Sequence, residues 1–519
     1  MLTQINTSAI NGLTALPVLL EVNSREIHTQ EAGSLFFMVG LPDNAVRESR
    51  LRVESALQSS GVTLPPRMKY TINFAPADIR KEGSGYDLPL ALGILASLGK
   101  LEGERLTRCV FVGELGLDGS LRPVKGALSI AIKAREQEFE GLIVPRDNVR
   151  EAAVVNKLKV YGADNLEQVI RFVQNKEEIE PTVIHTREEF YAAQTECTLD
   201  FSDVKGQESV KRAFEVAAAG GHNLMLIGSP GCGKSMMAKR LPSILPQLSL
   251  RESLETTQIH SVAGKLGAET SLIVQRPFRS PHHTISDVAL IGGGVNCKPG
   301  EISLAHNGVL FLDELPEFSR TALETLRQPL EDREITISRA KYTATLPCSF
   351  MLVASMNPCP CGYYNHPTHE CHCTPAQIQH YMNKISGPLL DRIDLQIEVT
   401  PVSVADLASA PAGEHSAQIR ERVVRARNRQ TERYKDFPGI HCNAQMTRQL
   451  LERYAHLDDE CSQILTRAIK RLDLSARAYD RILKVARTIA DLEGTENIQP
   501  SHLKEAINYR NLDRGDWGQ

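Results

Sequence analysis

The sequence lacks an apolar segment long enough to cross a membrane. Its longest mainly apolar stretch, residues 88–98, is well short of the roughly 20 residues that a membrane-spanning helix needs. Residues 1–6 also lack the basic and then apolar order of a secretory signal. We therefore expect a cytoplasmic protein with no membrane partner.

A repeat period and a strong net charge are also missing. The formal net charge is −4, so bulk electrostatics neither require nor exclude nucleic acid, and any such binding needs a local basic surface. Hydrophobic residues make up 42% and charged residues 24% of the chain, as in ordinary globular proteins. Disordered, collagen-like and coiled-coil proteins are excluded.

What is present suggests three domains, because 519 residues exceed what one core usually supports. Residues 1–174 mix short β-rich runs with helical ones, which predicts an α+β domain. Residues 175–198 turn polar and predict a linker. In residues 199–400 apolar strands alternate with helical patterns, which predicts an α/β domain with a parallel sheet covered by helices. Residues 401–519 show helical periodicity and predict an all-α domain.

The sharpest motif is a phosphate-binding loop that fits G-x-x-x-x-G-K-[ST] in full. It consists of Gly228, Ser229, Pro230, Gly231, Cys232, Gly233, Lys234 and Ser235. A strand-forming run precedes it and a helix-forming run follows, which is the order that such a loop requires. We expect its backbone N–H groups to surround the phosphates of ATP, Lys234 to reach the β and γ phosphates, and Ser235 to ligate Mg²⁺.

A second motif follows at residues 309–314, where four apolar residues precede two acids. Acids at strand ends are common, but behind a phosphate loop this pattern is typical of nucleotide hydrolysis. Asp313 is the candidate for the Mg²⁺ shell. Glu314 is the candidate general base that polarises the attacking water.

Three further segments, residues 199–207, 279–284 and 299–306, read LDFSDVKGQ, RSPHHT and PGEISLAH. Together with the two motifs above they resemble the ComM/YifB family of magnesium-chelatase-like AAA+ proteins, and the resemblance covers essentially the whole chain. It implies a homohexameric, ATP-driven DNA helicase that promotes branch migration in homologous recombination during natural transformation. Branched DNA, single-strand/duplex junctions and recombination proteins are the implied partners.

The same resemblance implies roles for three more residues. Asn357 corresponds to sensor 1 and would help to position the water. Arg392 lies in the segment that reaches into the next subunit's site, and Arg477 corresponds to sensor 2 on the γ-phosphate. For Arg392 the alternative is a surface ion pair with Asp391 or Asp394, and for Arg477 it is a solvated charge on a lid helix.

Two basic segments are candidates for DNA contact. Residues 276–300 carry Arg276 and Arg279 and resemble the helix-2 insert that lines the pore of related rings. Residues 335–345 alternate like a hairpin whose tip holds Arg339 and Lys341; the alternative is a solvated hairpin. A third basic segment, residues 420–435, fits phosphate binding and packing on acidic side chains equally well.

Eleven cysteines in a chain without an export signal predict thiols or metal ligands rather than disulfides. Four of them, Cys359, Cys361, Cys371 and Cys373, lie within fifteen residues directly after the sensor-1 strand. Two close thiolate pairs around a turn-rich loop predict a Zn²⁺ site. Nearby histidines compete as ligands, and a metal-free or redox-labile loop is the alternative.

The first domain resembles the fold of Lon-type proteases at residues 75–89 and 113–126. A Ser/Lys dyad is absent, because the expected serine and lysine positions fall on Gly85 and Leu128. Ser84 with Lys125 restores a dyad only in a shifted register. The alternatives to a DNA motor are therefore a chelatase-like remodeller of a protein partner and, less favoured, an ATP-dependent Lon-type peptidase.

Overall fold

The structure, a computed structural model, describes residues 1–27, 35–194, 199–293, 298–339, 342–401, 413–472 and 474–510. These residues form two large sheets with helices packed on them, followed by a helical region. No helix in these ranges is long and apolar enough to cross a bilayer. The predicted fold class, a parallel α/β sheet between an α+β and an all-α part, is confirmed.

The amino-terminal sheet has seven strands in the order β3-β4-β2-β1-β5-β8-β9, and β6 and β7 form a separate ribbon. The strands are β1 (Leu2–Asn11), β2 (Thr14–Glu26), β3 (Leu35–Val39), β4 (Met68–Ala75), β5 (Cys109–Phe111), β6 (Glu114–Leu115), β7 (Leu121–Arg122), β8 (Gly141–Pro145) and β9 (Lys159–Ala163). The helices are α1 (Asn44–Ser59), α2 (Asp87–Ser97), α3 (Arg105–Arg108), α4 (Ala127–Glu136), α5 (Val149–Ala153), α6 (Leu166–Val173) and α7 (Thr186–Ala192).

Helix α2 is the centre of this first core, because all of its residues are buried. It crosses β2 so closely that a Cβ built on Gly93 would lie 2.7 Å from Val22 Cγ2. Its first residue, Asp87, is fully buried and accepts hydrogen bonds from Arg52 at 2.7 and 3.0 Å. The polar start of the helix is therefore satisfied inside the domain.

The second large sheet has five parallel strands in the order β11-β14-β17-β10-β18. The strands from here on are β10 (Leu224–Gly228), β11 (Phe278–Arg279), β12 (Gly292–Gly293), β13 (Lys298–Pro299), β14 (Val309–Leu312), β15 (Glu334–Arg339), β16 (Tyr342–Pro347), β17 (Met351–Met356) and β18 (Leu395–Val399). The helices are α8 (Glu208–Gly220), α9 (Lys234–Ile244), α10 (Leu250–Ala263), α11 (Asp287–Ile291), α12 (Glu301–Leu304), α13 (Arg320–Thr325), α14 (Arg327–Asp332), α15 (Pro375–Met382) and α16 (Gly387–Leu390).

Strands β10, β14 and β17 are buried along their whole length, as expected of parallel strands covered on both faces. All three end at the same edge of the sheet, since they run parallel. Strand β17 lies between the other two. The residues that follow these strands are thereby brought together.

The carboxyl-terminal region consists of α17 (Ser416–Tyr434), α18 (Arg448–Tyr454), α19 (Asp459–Leu472), α20 (Ala476–Glu493) and α21 (Pro500–Asn508). A buried polar network joins α20 to the start of β18. Arg481 Nη1 donates to Asp394 Oδ1 at 2.6 Å, and the fully buried ring of His222 lies 3.2 Å from Asp394 Oδ2. Burial opposes ionisation, but the charge of Arg481 and the His222 contact hold the pKa of Asp394 below its usual range.

Two elements differ from the sequence-based expectations. Helix α7 lies inside the predicted linker, where Phe190 is buried and the Thr186 hydroxyl donates to the carbonyl of Val154 at 2.9 Å. Strand β11 lies inside the predicted insert, yet it pairs in parallel with β14 as part of the central sheet. The insert is therefore shorter than the spacing of the motifs suggested.

Candidate ATP site and four-cysteine cluster

The phosphate loop joins the end of β10 to the first turn of α9. Gly231 and Gly233 have φ angles of +79° and +90°, and a Cβ built on either would meet nothing within 4 Å. These angles lie in the left-handed region that favours glycine. The N–H groups at the start of α9 border this open space, and helix N-termini of this kind bind phosphate. The loop fits the phosphates of a nucleotide.

Lys234 is the first residue of α9 and is 9% exposed. Its Nζ donates to the carbonyl oxygens of Gly228 and Ser229 at 2.6 and 2.9 Å, and to Asn357 Oδ1 at 3.3 Å. Burial lowers the pKa of the Lys234 ammonium. The structure thus brings together the lysine of the phosphate loop and the predicted sensor asparagine, which follows β17.

Asp313 follows β14 and completes the same cluster. Its Oδ2 accepts a hydrogen bond from Ser235 Oγ at 2.7 Å, and its Oδ1 accepts one from Ser355 Oγ. A serine hydroxyl beside a carboxylate supplies the oxygen ligands that Mg²⁺ prefers. Ser235 and Asp313 therefore fit the predicted Mg²⁺ site.

Glu314 comes next and has a φ angle of 53°. Its side chain is 55% exposed, and His283 Nδ1 lies 3.5 Å from Glu314 Oε2. Glu314 and Asn357 line one cavity of about 930 Å³ together with Cys361 and Cys373. A carboxylate at the edge of such a cavity is in a position to accept a proton from a water.

Family models match most of the chain. The model for magnesium chelatase subunit ChlI matches residues 200–407, which contain the whole cluster described above. Two others, for subunit ChlI of Mg-chelatase and for the ChlI carboxyl-terminal part, match residues 26–148 and 413–510. The chain is 44% identical to competence protein ComM of Haemophilus influenzae over 491 residues, 94% of either chain.

The chain belongs to the ComM/YifB family. It is 44% identical to the uncharacterized protein YifB of Escherichia coli over 520 residues, 99% of this chain and 98% of that one. A weaker similarity, 25% over 335 residues, links it to the DNA replication licensing factor Mcm6 of Drosophila melanogaster and covers 60% of this chain and 37% of Mcm6. This ComM/YifB protein is thus a magnesium-chelatase-like AAA+ ATPase.

Arg392 lies just beyond α16 and is held inside its own chain. Its side chain is 8% exposed, and its nitrogens donate to Glu331 Oε1 and to the carbonyl oxygen of Pro388, both at 2.5 Å. This differs from the exposed arginine that the family resemblance implied. It also differs from the alternative of a surface pair with Asp391 or Asp394, because those two carboxylates bind arginines of α20 instead.

Arg477 is one of those arginines and is 64% exposed. Its Nη1 lies 3.4 Å from Asp391 Oδ2, so it contacts the residue directly before Arg392. The two arginines that the family resemblance selected are therefore linked through Asp391, although Arg477 is exposed and Arg392 is buried.

The four cysteines of the ComM/YifB chain meet in space. Their sulfur atoms all lie within 4.8 Å of one another, and the distances among Cys359, Cys361 and Cys371 are 3.3 to 3.7 Å. A tetrahedral Zn²⁺ with bonds of about 2.3 Å separates its sulfur ligands by about 3.8 Å. In addition, the N–H of Tyr364 donates to Cys359 Sγ at 3.3 Å, a contact common around metal thiolates. The cluster fits a Zn²⁺ ion.

Arg276 and Arg279, two of the predicted DNA contacts, are bonded within the chain. Arg276 donates to the carbonyl oxygens of Pro246 and Asn307 at 2.6 and 2.7 Å and pairs with Glu252. Arg279 donates twice to Glu301, at 2.6 and 2.7 Å. Both guanidinium groups thus pair with acidic side chains of this chain, and the DNA contacts predicted for Arg276 and Arg279 stay predictions.

The predicted hairpin corresponds to β15 and β16, which pair antiparallel with Arg339 opposite Tyr342. Lys341 lies outside the described residues, so the contact predicted for it stays a prediction, as does that of Arg339.

The basic residues of α17 mostly bind groups of this chain. Arg433 pairs with Asp491 of α20, and Arg422 pairs with Glu215 and Glu414. Of the two alternatives for residues 420–435, these ion pairs match packing on acidic side chains.

The shifted dyad of the amino-terminal region is not assembled in the described residues. The Ser84 hydroxyl donates to Glu114, while Lys125 packs beside Gly264 and has its pKa lowered by burial and then by the charge of Lys298. Leu128, at the expected lysine position, is fully buried. The geometry gives no support to a peptidase.

Sequence reasoning assigned no role to two residues of the site. Ser355 bonds Asp313, and His283 contacts Glu314. His283 lies in residues 279–284, one of the segments that carry the family resemblance. For Ser355 the sequence offered one signal, its position near the end of a buried strand, two residues before Asn357. For His283 no local pattern in the sequence indicated a contact with the acid pair after β14.

Proposed function

We propose that this protein is an ATP-driven DNA motor, a homohexameric helicase that promotes branch migration in homologous recombination during natural transformation. The observation that carries the ATP-driven part is the cluster at the sheet edge. Lys234, Ser235, Asp313 and Asn357 converge there beside Glu314. Such convergence is what hydrolysis of a phosphoanhydride needs.

Different groups of the chain would carry out the separate steps of ATP binding and hydrolysis. The N–H groups of the phosphate loop and the Lys234 ammonium bind the phosphates, and Ser235 and Asp313 hold Mg²⁺, which supplies charge neutralisation when bound. Asn357 Oδ1 orients the Lys234 ammonium, and its amide is available to orient the attacking water. A Glu314 carboxylate oxygen accepts the proton of that water.

The ring and the domain division belong to the same proposal. We take residues 1–174, 199–400 and 401–519 as the amino-terminal, ATPase and lid domains of each of six subunits. Arg392, once released from Glu331, and Arg477 beside it would serve the site of the next subunit, where positioned cations stabilise the transferring phosphoryl group. The short path between Arg392 and Arg477 through Asp391 supports a joint action.

A mixing experiment tests this shared site. We expect Arg392→Ala rings to bind ATP and not turn it over, and Glu314→Gln rings to behave likewise. Mixed rings should regain activity, because some interfaces then combine an intact Arg392 with an intact Glu314. If mixed rings form and stay as inactive as both parents, the trans role of Arg392 is wrong.

The DNA part of the proposal is supported by the 44% identity to ComM, a competence protein, and by the weaker similarity to Mcm6, a DNA replication licensing factor. The hairpin of β15 and β16 is the proposed DNA contact, through Arg339 and Lys341. Removing both charges should leave basal ATP turnover unchanged. It should reduce the salt slope of DNA binding by up to about 1.8 for duplex or about 1.4 for single strands.

The deciding measurement is ATP turnover with and without forked DNA. The motor requires stimulation by DNA, and the Arg339→Ala/Lys341→Ala variant should lose that stimulation. The second candidate function, a chelatase-like remodeller, is supported by the match of the chelatase family models along the chain. That function predicts ATP turnover that does not change when DNA is added and that changes when a protein partner is added.

For the four-cysteine cluster we propose Zn²⁺ as the resident ion, held by Cys359, Cys361, Cys371 and Cys373. The sulfur geometry and the Tyr364 N–H contact support this choice. Total metal by mass spectrometry on the purified chain should give one zinc per subunit. A chain purified without metal, and unable to take up Zn²⁺, would refute the site.

A further inference from the structure

The four-cysteine cluster begins and ends next to the ATP site. Cys359 lies two residues after Asn357, and Cys373 lies two residues before α15. Cys361 and Cys373 line the same cavity as Glu314 and Asn357. Any ion held by the four sulfur atoms therefore joins the two ends of a loop that borders the catalytic groups.

The loop also contacts the phosphate loop directly. Gly362 has a φ angle of +85°, and a Cβ built on it would lie 2.7 Å from Pro230 Cδ and 4.0 Å from Asn357 Cγ. The N–H of Gly362 donates to the carbonyl of Cys359 at 3.0 Å, which closes a tight turn between two of the thiols. The position of this turn is therefore set jointly by the sulfur cluster and by Pro230.

A second contact reaches Asn357 from the far end of the loop. Tyr381 of α15 is buried, lies beside the backbone of Asn357 and lines the same cavity as Asn357. Thr374, which directly follows Cys373, is the N-cap of α15 and forms a capping box with Gln377. Asn357 is thus held between the first thiol pair on one side and the helix that follows the second pair on the other.

Apart from the sulfur cluster, the loop is held by local contacts, in which His366 Nδ1 accepts hydrogen bonds from the N–H groups of Thr368 and His369 at 3.2 and 3.0 Å. Between Cys361 and Cys373 no described residue belongs to a helix or strand, and Glu370 and its neighbours at 367–369 are exposed. A metal that closes a loop of this kind removes much of its conformational freedom. Without it, the Gly362 turn and Asn357 would lose the constraint that the sulfur atoms provide.

We propose that the metal bound by the four cysteines braces the ATP site, through the Gly362–Pro230 contact and through Asn357, so that it is needed for ATP turnover and not for nucleotide binding. This inference rests on the proposed zinc site and on the proposed ATP hydrolysis. We expect binding to be retained because the phosphate loop is held at its two ends by β10 and α9, which also carries Lys234 and Ser235, and the cysteine loop forms neither element and contacts the phosphate loop at Pro230.

The first test compares Cys371→Ser/Cys373→Ser with His366→Ala/His369→Ala, which alters the same loop outside the sulfur cluster. Zinc per subunit, affinity for a fluorescent ADP analogue and kcat for ATP are measured for each. We expect the cysteine variant to lose its zinc and roughly 10- to 100-fold in kcat, because small displacements of positioning groups cost that much. Its nucleotide affinity should stay within about threefold, a change below 1 kcal/mol, and the histidine variant should match wild type.

The second test does not depend on removing the metal. Gly362→Ala places a methyl group against Pro230, and Gly439→Ala introduces an alanine at a similar φ angle, +83°, with nothing within 4 Å. We expect Gly362→Ala to keep its zinc and its nucleotide affinity and to lose turnover. Gly439→Ala should lose none of these, so backbone strain alone is controlled for.

The outcomes separate the two proposals. A cysteine variant that lacks zinc and keeps the wild-type kcat would overturn the brace and leave the zinc site standing. Wild-type protein that neither contains nor binds zinc would overturn the zinc site itself. Loss of turnover in Gly439→Ala equal to that in Gly362→Ala would also overturn the brace, because the contact with Pro230 would then be irrelevant.

Discussion

Two lysines of this chain are buried in similar surroundings, and they differ in what lies beyond their hydrogen bonds. Lys81, in the amino-terminal region, has no exposed surface and donates to the carbonyl oxygens of Phe74 and Pro76. Lys234, at the ATP site, is 9% exposed and also donates to two carbonyl oxygens. Burial lowers the pKa of both.

The difference is what else converges on the ammonium group. Lys234 also contacts Asn357, and the carboxylates of Asp313 and Glu314 are close enough to raise its pKa against the effect of burial. Its helix starts at a loop with open space around Gly231 and Gly233. Lys81 donates to backbone oxygens, and the carboxylate of Asp78 is close enough to raise its pKa against burial, but none of its hydrogen bonds in the described residues goes to a side chain. A buried lysine with a lowered pKa is therefore not by itself a sign of a functional site. A functional site is indicated when other polar groups converge with the lysine on an accessible cavity.

The largest effect is expected for Lys234→Ala. It removes the ammonium that binds the phosphates, so nucleotide binding should be abolished and turnover should fall by about 10³-fold or more. Calorimetric titration with ATP analogues measures the first and steady-state turnover the second. Lys81→Ala should leave nucleotide binding and turnover unchanged in the folded fraction. A loss of ATP binding in Lys81→Ala would contradict the proposed difference between the two lysines.

Glu314→Gln should have the next largest effect. Turnover should fall by roughly 10²- to 10⁴-fold, because the amide cannot take a proton from the water. Nucleotide affinity should change little, since Glu314 is not among the groups proposed to bind the phosphates. The variant should therefore be trapped as an ATP-filled ring. Single-turnover hydrolysis and nucleotide binding on the same preparation provide the measurement; equal losses of both would contradict the assigned roles.

A smaller effect concerns the pH dependence of stability. Burial lowers the pKa of Lys81, so the unfolded chain binds more protons than the folded chain between that pKa and the ordinary lysine value, and stability rises with pH there. Lys81→Met should lack this contribution, while Lys100→Met, a change at an exposed lysine, should keep it. Thermal midpoints across alkaline pH test this, and parallel trends for wild type and Lys81→Met would contradict it.

The smallest effect is expected for Ser84→Ala. Its hydroxyl bonds Glu114 rather than a lysine, so turnover should stay within about twofold and stability within about 0.5 kcal/mol. Peptidase assays should be negative for both proteins. A peptidase activity in wild type that disappears in Ser84→Ala would show that the amino-terminal region, like the ATP site, is catalytic. It would support the Lon-type peptidase alternative.

The ATP site could be predicted because its signals are local. The phosphate loop, the acid pair after β14 and Asn357 after β17 are each read from a buried strand and the residues at its end, and a parallel sheet gathers such ends at one edge. Strand β1 carries no comparable local signal. Along β1 the buried positions include Thr7 and Ala9 beside Ile5, so the alternation is hidden by small and polar residues.

The roles of the arginines could not be predicted in the same way. Arg276 and Arg279 read as a basic segment, but their partners Glu252 and Glu301 are more than twenty residues away and become visible only after folding. Arg392 likewise pairs with Glu331 and not with the adjacent acids. A charged residue's function depends on its counter-charge, and for these residues the counter-charge is not local.

The sequence by itself determined which residue types follow which strands, and with them the ATP-binding loop, the acid pair and the four closely spaced cysteines. Only the tertiary structure decided that Ser355 and His283 join the site, that the four sulfur atoms meet, and that the cysteine loop packs on Pro230. The reason is physical: strand and loop patterns arise from neighbours along the chain, whereas hydrogen bonds and van der Waals contacts act over a few ångströms between segments that the fold brings together.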